Sequence, residues 1–220
     1  MKPVILAGGK GERIGGKKPL KLLLGKPLIY WVFNKAKLID IPVYISVKNR
    51  EQEEEIKTVL LKENIKPTEF IFIKDLYPNL EGPISGIFSA LKIIQDNEPL
   101  LILAVDQPFI DLENIYYFKT LSEIFCHNFL IVTKGEEKIR PFPGIYPLSL
   151  KSEIEIFINT FTKRSLFRFF NYLKEKNLVL FIINVKIKNK SFININTWED
   201  LKKAEKCFYQ SLKTQKMLKF

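Results

Sequence analysis

The sequence predicts an α/β fold of three layers, one mainly parallel sheet with helices on both faces. Three observations predict it. Short apolar runs alternate with amphipathic stretches through about residue 110, the rhythm of strand and crossover helix. The run LLILAVD at 100–106 is almost wholly apolar, which suits a strand buried on both faces at the centre of a parallel sheet. Polar groups also recur where strands end: a glycine-rich loop after residue 6, then Asn49, Asp75 and Asp106. With right-handed crossovers these positions share the carboxyl edge of the sheet, where such folds bind ligands.

The elements run in order. Residues 3–6 form the first strand. Residues 21–24 are a short apolar piece, and Gly25-Lys26-Pro27-Leu28 leads into a helix over 27–38. Strands at 43–47 and 70–75 flank a charged helix at 51–63 that turns Ile56, Val59 and Leu60 inward. A helix over 83–95 has Pro83 in its first turn, where the missing N–H is tolerated. Beyond the strand at 100–106 the pattern gives a helix at 111–125 and a strand at 129–133. Pro141, Pro143, Gly144 and Pro147 make 135–150 a loop with an edge strand. Helices at 150–160 and 164–176 precede strands at 179–186 and 191–197, an antiparallel addition to the sheet. The last helix, 198–215, has an inner face of Trp198, Leu201, Ala204, Phe208 and Leu212. No linker or repeat divides the chain, so residues 1–220 read as one domain.

Composition narrows the function classes. The net charge of +11 suits an anionic substrate, but the lysines are scattered and not interleaved with aromatics as in an RNA-binding surface. Two cysteines, Cys126 and Cys207, make neither a disulfide framework nor a zinc cluster. No apolar run approaches the ~20 residues that span a bilayer, and the first residues read as strand and loop, so a cytoplasmic location is expected. His127, the single histidine, follows Cys126 in a loop, and both are read as structural or incidental.

The chemistry concentrates in PVILAGGKGERIGG and the two lysines after it. Gly8, Gly9 and Gly11 let backbone N–H groups converge on an anion, while Arg13, Lys17 and Lys18 add charge where a polyphosphate would lie. No Gly-Lys-Ser/Thr comes next, so this is not a Walker loop, and the glycine spacing misses the dinucleotide fingerprint. Transfer of a nucleotide fits better than hydride chemistry. In that reaction negative charge grows on the leaving pyrophosphate, and fixed cations with a metal lower the barrier. Lys18 is favoured over Lys17 for the phosphates, although spacing does not separate the two. Asp106 is the natural Mg²⁺ ligand, the alternative being a turn formed with Pro108. Asp75 accepts from a base, ribose or pterin donor, or caps its loop. Asn49 reads a base edge or ribose, or merely ends its strand. Asn196 is a candidate cap for the last helix with Glu199 three positions on, and Thr197 competes for that place.

Together LAGGKGERIGG with Lys18, GKPL at 25–28, Asn49-Arg50, Asp75 before a YP…GP stretch, VDQP at 105–108 and NINTWEDL at 194–201 resemble the molybdenum cofactor guanylyltransferases over most of the chain. The resemblance implies a Rossmann-like, nucleotide-diphospho-sugar-transferase-like fold, with a nucleotide-binding half at 1–110 and an acceptor-side half at 111–220, and a Mg²⁺-dependent transfer of GMP from GTP to molybdopterin. It implies that Leu6, Ala7, Gly8, Gly9 and Gly11 hold nucleotide, that Lys18 meets the phosphates and that Asn49 and Asp75 lie near guanine and ribose. Asp106 would bind the metal, and Arg140, Asn194 and Asn196 would face the pterin. Small-molecule partners would be GTP and molybdopterin, with transient contacts to other cofactor-biosynthesis or molybdoenzyme-maturation proteins. The alternatives are the same chemistry on a sugar phosphate, cytidylyl transfer to molybdopterin, and a non-catalytic GTP-binding module.

Overall fold

The computed structural model describes residues 1–9, 11–77, 79–80, 82–125, 127–135, 139–183 and 193–217, with side chains as far as Phe208. In chain order the elements are β1 (Lys2–Leu6), β2 (Leu22–Leu23), β3 (Lys26–Pro27), α1 (Leu28–Ala36), β4 (Val43–Val47), α2 (Arg50–Lys62), β5 (Phe70–Lys74), α3 (Pro83–Ile93), β6 (Leu100–Ala104), α4 (Leu112–Ile124), β7 (Leu130–Lys134), β8 (Ile139–Tyr146), α5 (Leu150–Thr160), α6 (Leu166–Glu175), β9 (Val179–Ile183) and α7 (Trp198–Met217). Seven strands form one sheet in the order β5-β4-β1-β6-β8-β7-β9, and β2 with β3 makes a separate small hairpin.

Strands β5, β4, β1 and β6 pair in parallel, and β7 pairs in parallel with β9. Alternation along the strands divides the core between the two faces. Val4, Leu100 and Ile102 meet Ile84, Ile87, Phe88 and Leu91 of α3 together with Phe157 and Phe169 from α5 and α6. Ile5, Ile45, Leu101 and Leu103 meet Ile29, Val32 and Phe33 of α1, Ile56 and Leu60 of α2, and Ile115 of α4. Every residue of β6 is buried, as its apolar run predicts. The phenylalanines serve this packing: Phe88, Phe157 and Phe169 contact one another with steeply inclined rings.

Three expectations need correction. β8 is not an edge strand; it lies inside the sheet, antiparallel to both β6 and β7. Its prolines are accommodated by a break in register: two steps along β7, Ile131 to Thr133, span Ile145 to Arg140 on β8. Pro141, Pro143 and Gly144 fall inside that irregularity, so the missing N–H groups interrupt no regular ladder. Among the described residues the antiparallel element is therefore β8, and β9 pairs in parallel with β7. Of the expected pair at 179–186 and 191–197, β9 ends at Ile183 among the described residues, residues 184–192 lie outside them, and 193–197 carry no strand. Finally, Trp198 is not an inner-face residue of α7; it is 53% exposed. Leu201 and Ala204 do face inward, against Ile14, Leu23, Leu28 and Ile195. No helix among the described residues is long and apolar enough to cross a membrane.

Candidate active site

The carboxyl edge of the sheet gathers the first loop and the ends of β4, β5 and β6. Ladder bonds continue past the strands and hold the segments just beyond them. Ala7 N–H donates to the Ser46 carbonyl at 2.9 Å, Asp75 N–H to Val47 at 3.1 Å and Val105 N–H to Leu6 at 3.3 Å. The glycine loop then folds back on itself. The Gly11 carbonyl accepts from Ile14 N–H at 3.0 Å and Gly16 N–H at 2.9 Å, and Gly15 N–H bonds Glu12. Those amides are thus committed to the loop, whereas the N–H groups of Gly8 and Gly9 make no such bond among the described residues. Gly11 adopts φ +64°, and a Cβ there would stand 2.8 Å from Lys18 Cβ. We expect Gly11→Ala to push Lys18 away and to lower turnover about tenfold or more, with a loss of at least ~1 kcal/mol of stability in thermal unfolding.

Lys18 Nζ donates to Asp106 Oδ2 at 2.9 Å and to Asn196 Oδ1 at 2.8 Å. Their partial burial, 13% side-chain exposure for Lys18 and 19% for Asp106, strengthens this pairing over a surface ion pair. Lys17 instead points away to Glu55 on α2 and is 62% exposed. Arg13 lies exposed on the one-turn helix Glu12–Ile14 and makes no bond to Lys18, Asp106 or Asn196.

The segment 194–196 is strapped onto the end of β6. Ile195 N–H donates to the Asp106 carbonyl at 2.9 Å, and Gln107 Nε2 donates to Asn194 Oδ1 at 2.8 Å. Ile195 is fully buried beneath it. Thr197, not Asn196, caps α7. Its Oγ1 accepts from Asp200 N–H at 3.1 Å, while Asp200 Oδ2 accepts from Thr197 N–H at 2.9 Å and Asn196 N–H at 3.0 Å. The acidic partner of this reciprocal cap is therefore Asp200 and not Glu199, which leaves the Asn196 amide for Lys18. The Asn196 N–H, then the Thr197 side chain and N–H, hold the Asp200 carboxyl below its ordinary 3.8 against the opposing effect of burial. A carboxyl lowered in the folded state stabilises above its unfolded value and loses that contribution as pH falls through the folded one. Thr197→Ala should cost about 1 kcal/mol of stability at neutral pH. Asp200→Asn should flatten the fall in melting temperature below pH 4; an unchanged profile would refute the cap's role.

Asn49 uses its Oδ1 to cap α2 through Gln52 N–H at 3.0 Å, so its amide hydrogens are what it offers a ligand. Gln52, which the sequence reading passed over, ties two segments together by accepting from Lys48 N–H and donating to the Ala7 carbonyl, both at 2.8 Å. Its signal was the Asn-x-x-Gln spacing of a helix start. Beside these residues lies a cavity of about 260 Å³ lined by Gly8, Gly9, Lys17, Lys48, Asn49 and Glu55. Asp75 sits just past β5 and is bonded by Tyr77 N–H, Ser85 and Ser89. Arg140 stands opposite Thr133 near the start of β8, at the edge where β6 and β7 end. Outside the site, His127 Nδ1 lies 2.7 Å from Ser122 Oγ at the end of α4. Cys126 lies outside the described residues.

The donor set can be tested against Mg²⁺. Among the described residues no three acidic, histidine or cysteine side chains converge. One carboxylate, Asp106, stands beside the Asn196 amide oxygen and the Lys18 ammonium. That fits an ion held mainly by substrate phosphates and water, the usual Mg²⁺ arrangement, and does not fit an all-protein cage.

A strand-edge glycine loop, a lysine and a carboxylate at the end of the central strand suit nucleotidyl transfer. Comparison with known proteins agrees: the chain belongs to the family described as MobA-like NTP transferase domain, whose model matches residues 3–176. It is 30% identical over 204 residues, 90% of this chain and 95% of the other, to a probable molybdenum cofactor guanylyltransferase of Methanocaldococcus jannaschii. A protein of the same description from Clostridium perfringens is 33% identical over 91% of this chain and 96% of its own length. Among solved structures, molybdopterin-guanine dinucleotide biosynthesis protein A of Archaeoglobus fulgidus superposes with a TM-score of 0.73 at 26% identity, covering 96% of this chain and 100% of that one. The 4-diphosphocytidyl-2C-methyl-D-erythritol synthase of Anaerococcus prevotii shares the fold, with a TM-score of 0.71 at 16% identity over 94% of this chain and 97% of its own.

Proposed function

We propose that this chain transfers GMP from GTP to the phosphate of molybdopterin, releasing pyrophosphate and forming molybdopterin guanine dinucleotide. The observation that carries it is the Lys18–Asp106–Asn196 cluster, which joins the nucleotide edge of the sheet to the C-terminal strap. The names of the relatives supply the base and the acceptor. In this reading residues 1–220 act as one unit, because strands from both halves share one sheet.

An acceptor phosphate oxygen attacks the α-phosphorus of GTP, the bond to the bridging oxygen breaks, and pyrophosphate leaves with the charge. Lys18 supplies a fixed cation for that charge, already oriented by two hydrogen bonds, so little reorganisation is needed as the charge develops. Asp106 would hold Mg²⁺, which supplies further positive charge at the phosphate oxygens. Gly8 and Gly9 offer backbone donors, and Asn49 its amide, to the nucleotide. Asp75 accepts from guanine, whose N1–H and N2 amino groups are donors that cytosine does not present in that arrangement. Arg140, Asn194 and Asn196 face the acceptor.

The test supplies GTP, Mg²⁺ and molybdopterin, and in parallel arms a panel of sugar 1-phosphates, with pyrophosphate release and product mass as readouts. A guanylylated molybdopterin is expected, with GTP bound more tightly than CTP by calorimetry. Product only from a sugar phosphate would overturn the acceptor, a preference for CTP would overturn the base, and no product from any acceptor would leave a binding module.

A further inference from the structure

Asp75 Oδ1 carries more hydrogen bonds than a loop cap requires. It accepts from Tyr77 N–H at 2.9 Å and from the Ser85 hydroxyl, and Ser89 Oγ stands 3.4 Å away. Ser89 Oγ accepts from Leu76 N–H at 2.8 Å, which leaves its proton for the carboxylate. Ser85 Oγ also lies 2.7 Å from the Tyr77 carbonyl. The two serines stand four residues apart on α3, hence on one face of the helix. They are 2% and 0% exposed, among Ile84, Ile87, Phe88 and Leu91. Hydroxyls buried in so apolar a helix are unfavourable unless bonded, and both are bonded to one carboxylate and its turn. Asp75 Oδ2 takes none of these bonds.

We infer that Ser85 and Ser89 are positioning residues for base recognition: they occupy Asp75 Oδ1 and leave Oδ2, with its two lone pairs, for the N1–H and N2 amino donors of guanine. The inference rests on the reading of Asp75 as the guanine contact. It assigns a specificity role to two residues that need not touch the nucleotide.

The test is a double-mutant cycle on GTP and CTP binding and turnover. Ser85→Ala and Ser89→Ala should each raise the KM for GTP about fivefold and lower the preference for GTP over CTP, with kcat at saturating GTP within about twofold. In an Asp75→Ala background the same replacements should change neither quantity further. Serine effects that persist undiminished in that background, or that are missing from the native one, would overturn the inference. An Asp75→Ala enzyme with native KM and base preference would overturn the guanine reading itself, which separates the two failures. Ser89→Ala orphans the Leu76 N–H; should that variant unfold, Ser85→Ala, which orphans no backbone donor, carries the test alone.

Discussion

Asp106→Asn is expected to lower guanylyl transfer at saturating Mg²⁺ and GTP by about 10²–10³-fold while GTP affinity changes only a few-fold. The fold should survive, because the bond that anchors the C-terminal strap uses the Asp106 backbone carbonyl and not its side chain. The replacement keeps the shape of the side chain and removes its charge. Lys18 retains Asn196 and an uncharged amide oxygen, so the loss falls on the metal and on charge developing in the transition state. A loss confined to the transition state appears in kcat more than in binding. Turnover of both proteins across a Mg²⁺ titration decides the matter, and equal rates would refute Asp106 as the metal ligand.

Lys18→Met should cost a similar ~10²–10³-fold in kcat/KM, whereas Lys17→Met should stay within about twofold. The two lysines are neighbours in sequence but part in space, Lys18 toward Asp106 and Asn196 and Lys17 toward Glu55. Lys18→Arg should not restore the rate, because Gly11 packs against the stem of Lys18 and a planar guanidinium needs a different geometry. Steady-state kinetics of the three variants is the check. A larger effect at position 17 would transfer the phosphate role to that residue.

The parallel half of the fold was legible because its strands are short apolar runs bounded by polar residues. Their ends therefore marked the edge where Asn49, Asp75 and Asp106 emerge. β8 was hidden because two prolines and a glycine argue against an inner strand unless the register break beside β7 is known. The choice of lysine was equally hidden, since it depends on how the loop folds back over Gly11 and not on spacing. Asn196 and Thr197 competed for one cap, and only Asp200, reaching back from the first turn of α7, settles which is which. Ser85 and Ser89 left a faint trace, two hydroxyls four apart in an otherwise apolar helix, a pattern that small residues in a packed helix also produce.

The strap at 194–196 bears on how the protein comes into being. Lys18 and its amide partner Asn196 are separated by 178 positions, and Lys18 and Asp106 by 88. Closing so long a loop adds little to the equilibrium penalty, which grows only logarithmically with length. Its effect on timing is larger, because contacts between distant positions form late. A nascent chain that has released everything through β9 already possesses all seven strands of the sheet, and Lys18 already has Asp106 within reach. It still lacks the amide that holds the other side of the ammonium and the buried isoleucine that seats the strap. Synthesis thus delivers the sheet first and completes the Lys18–Asp106–Asn196 cluster only with the segment that follows β9.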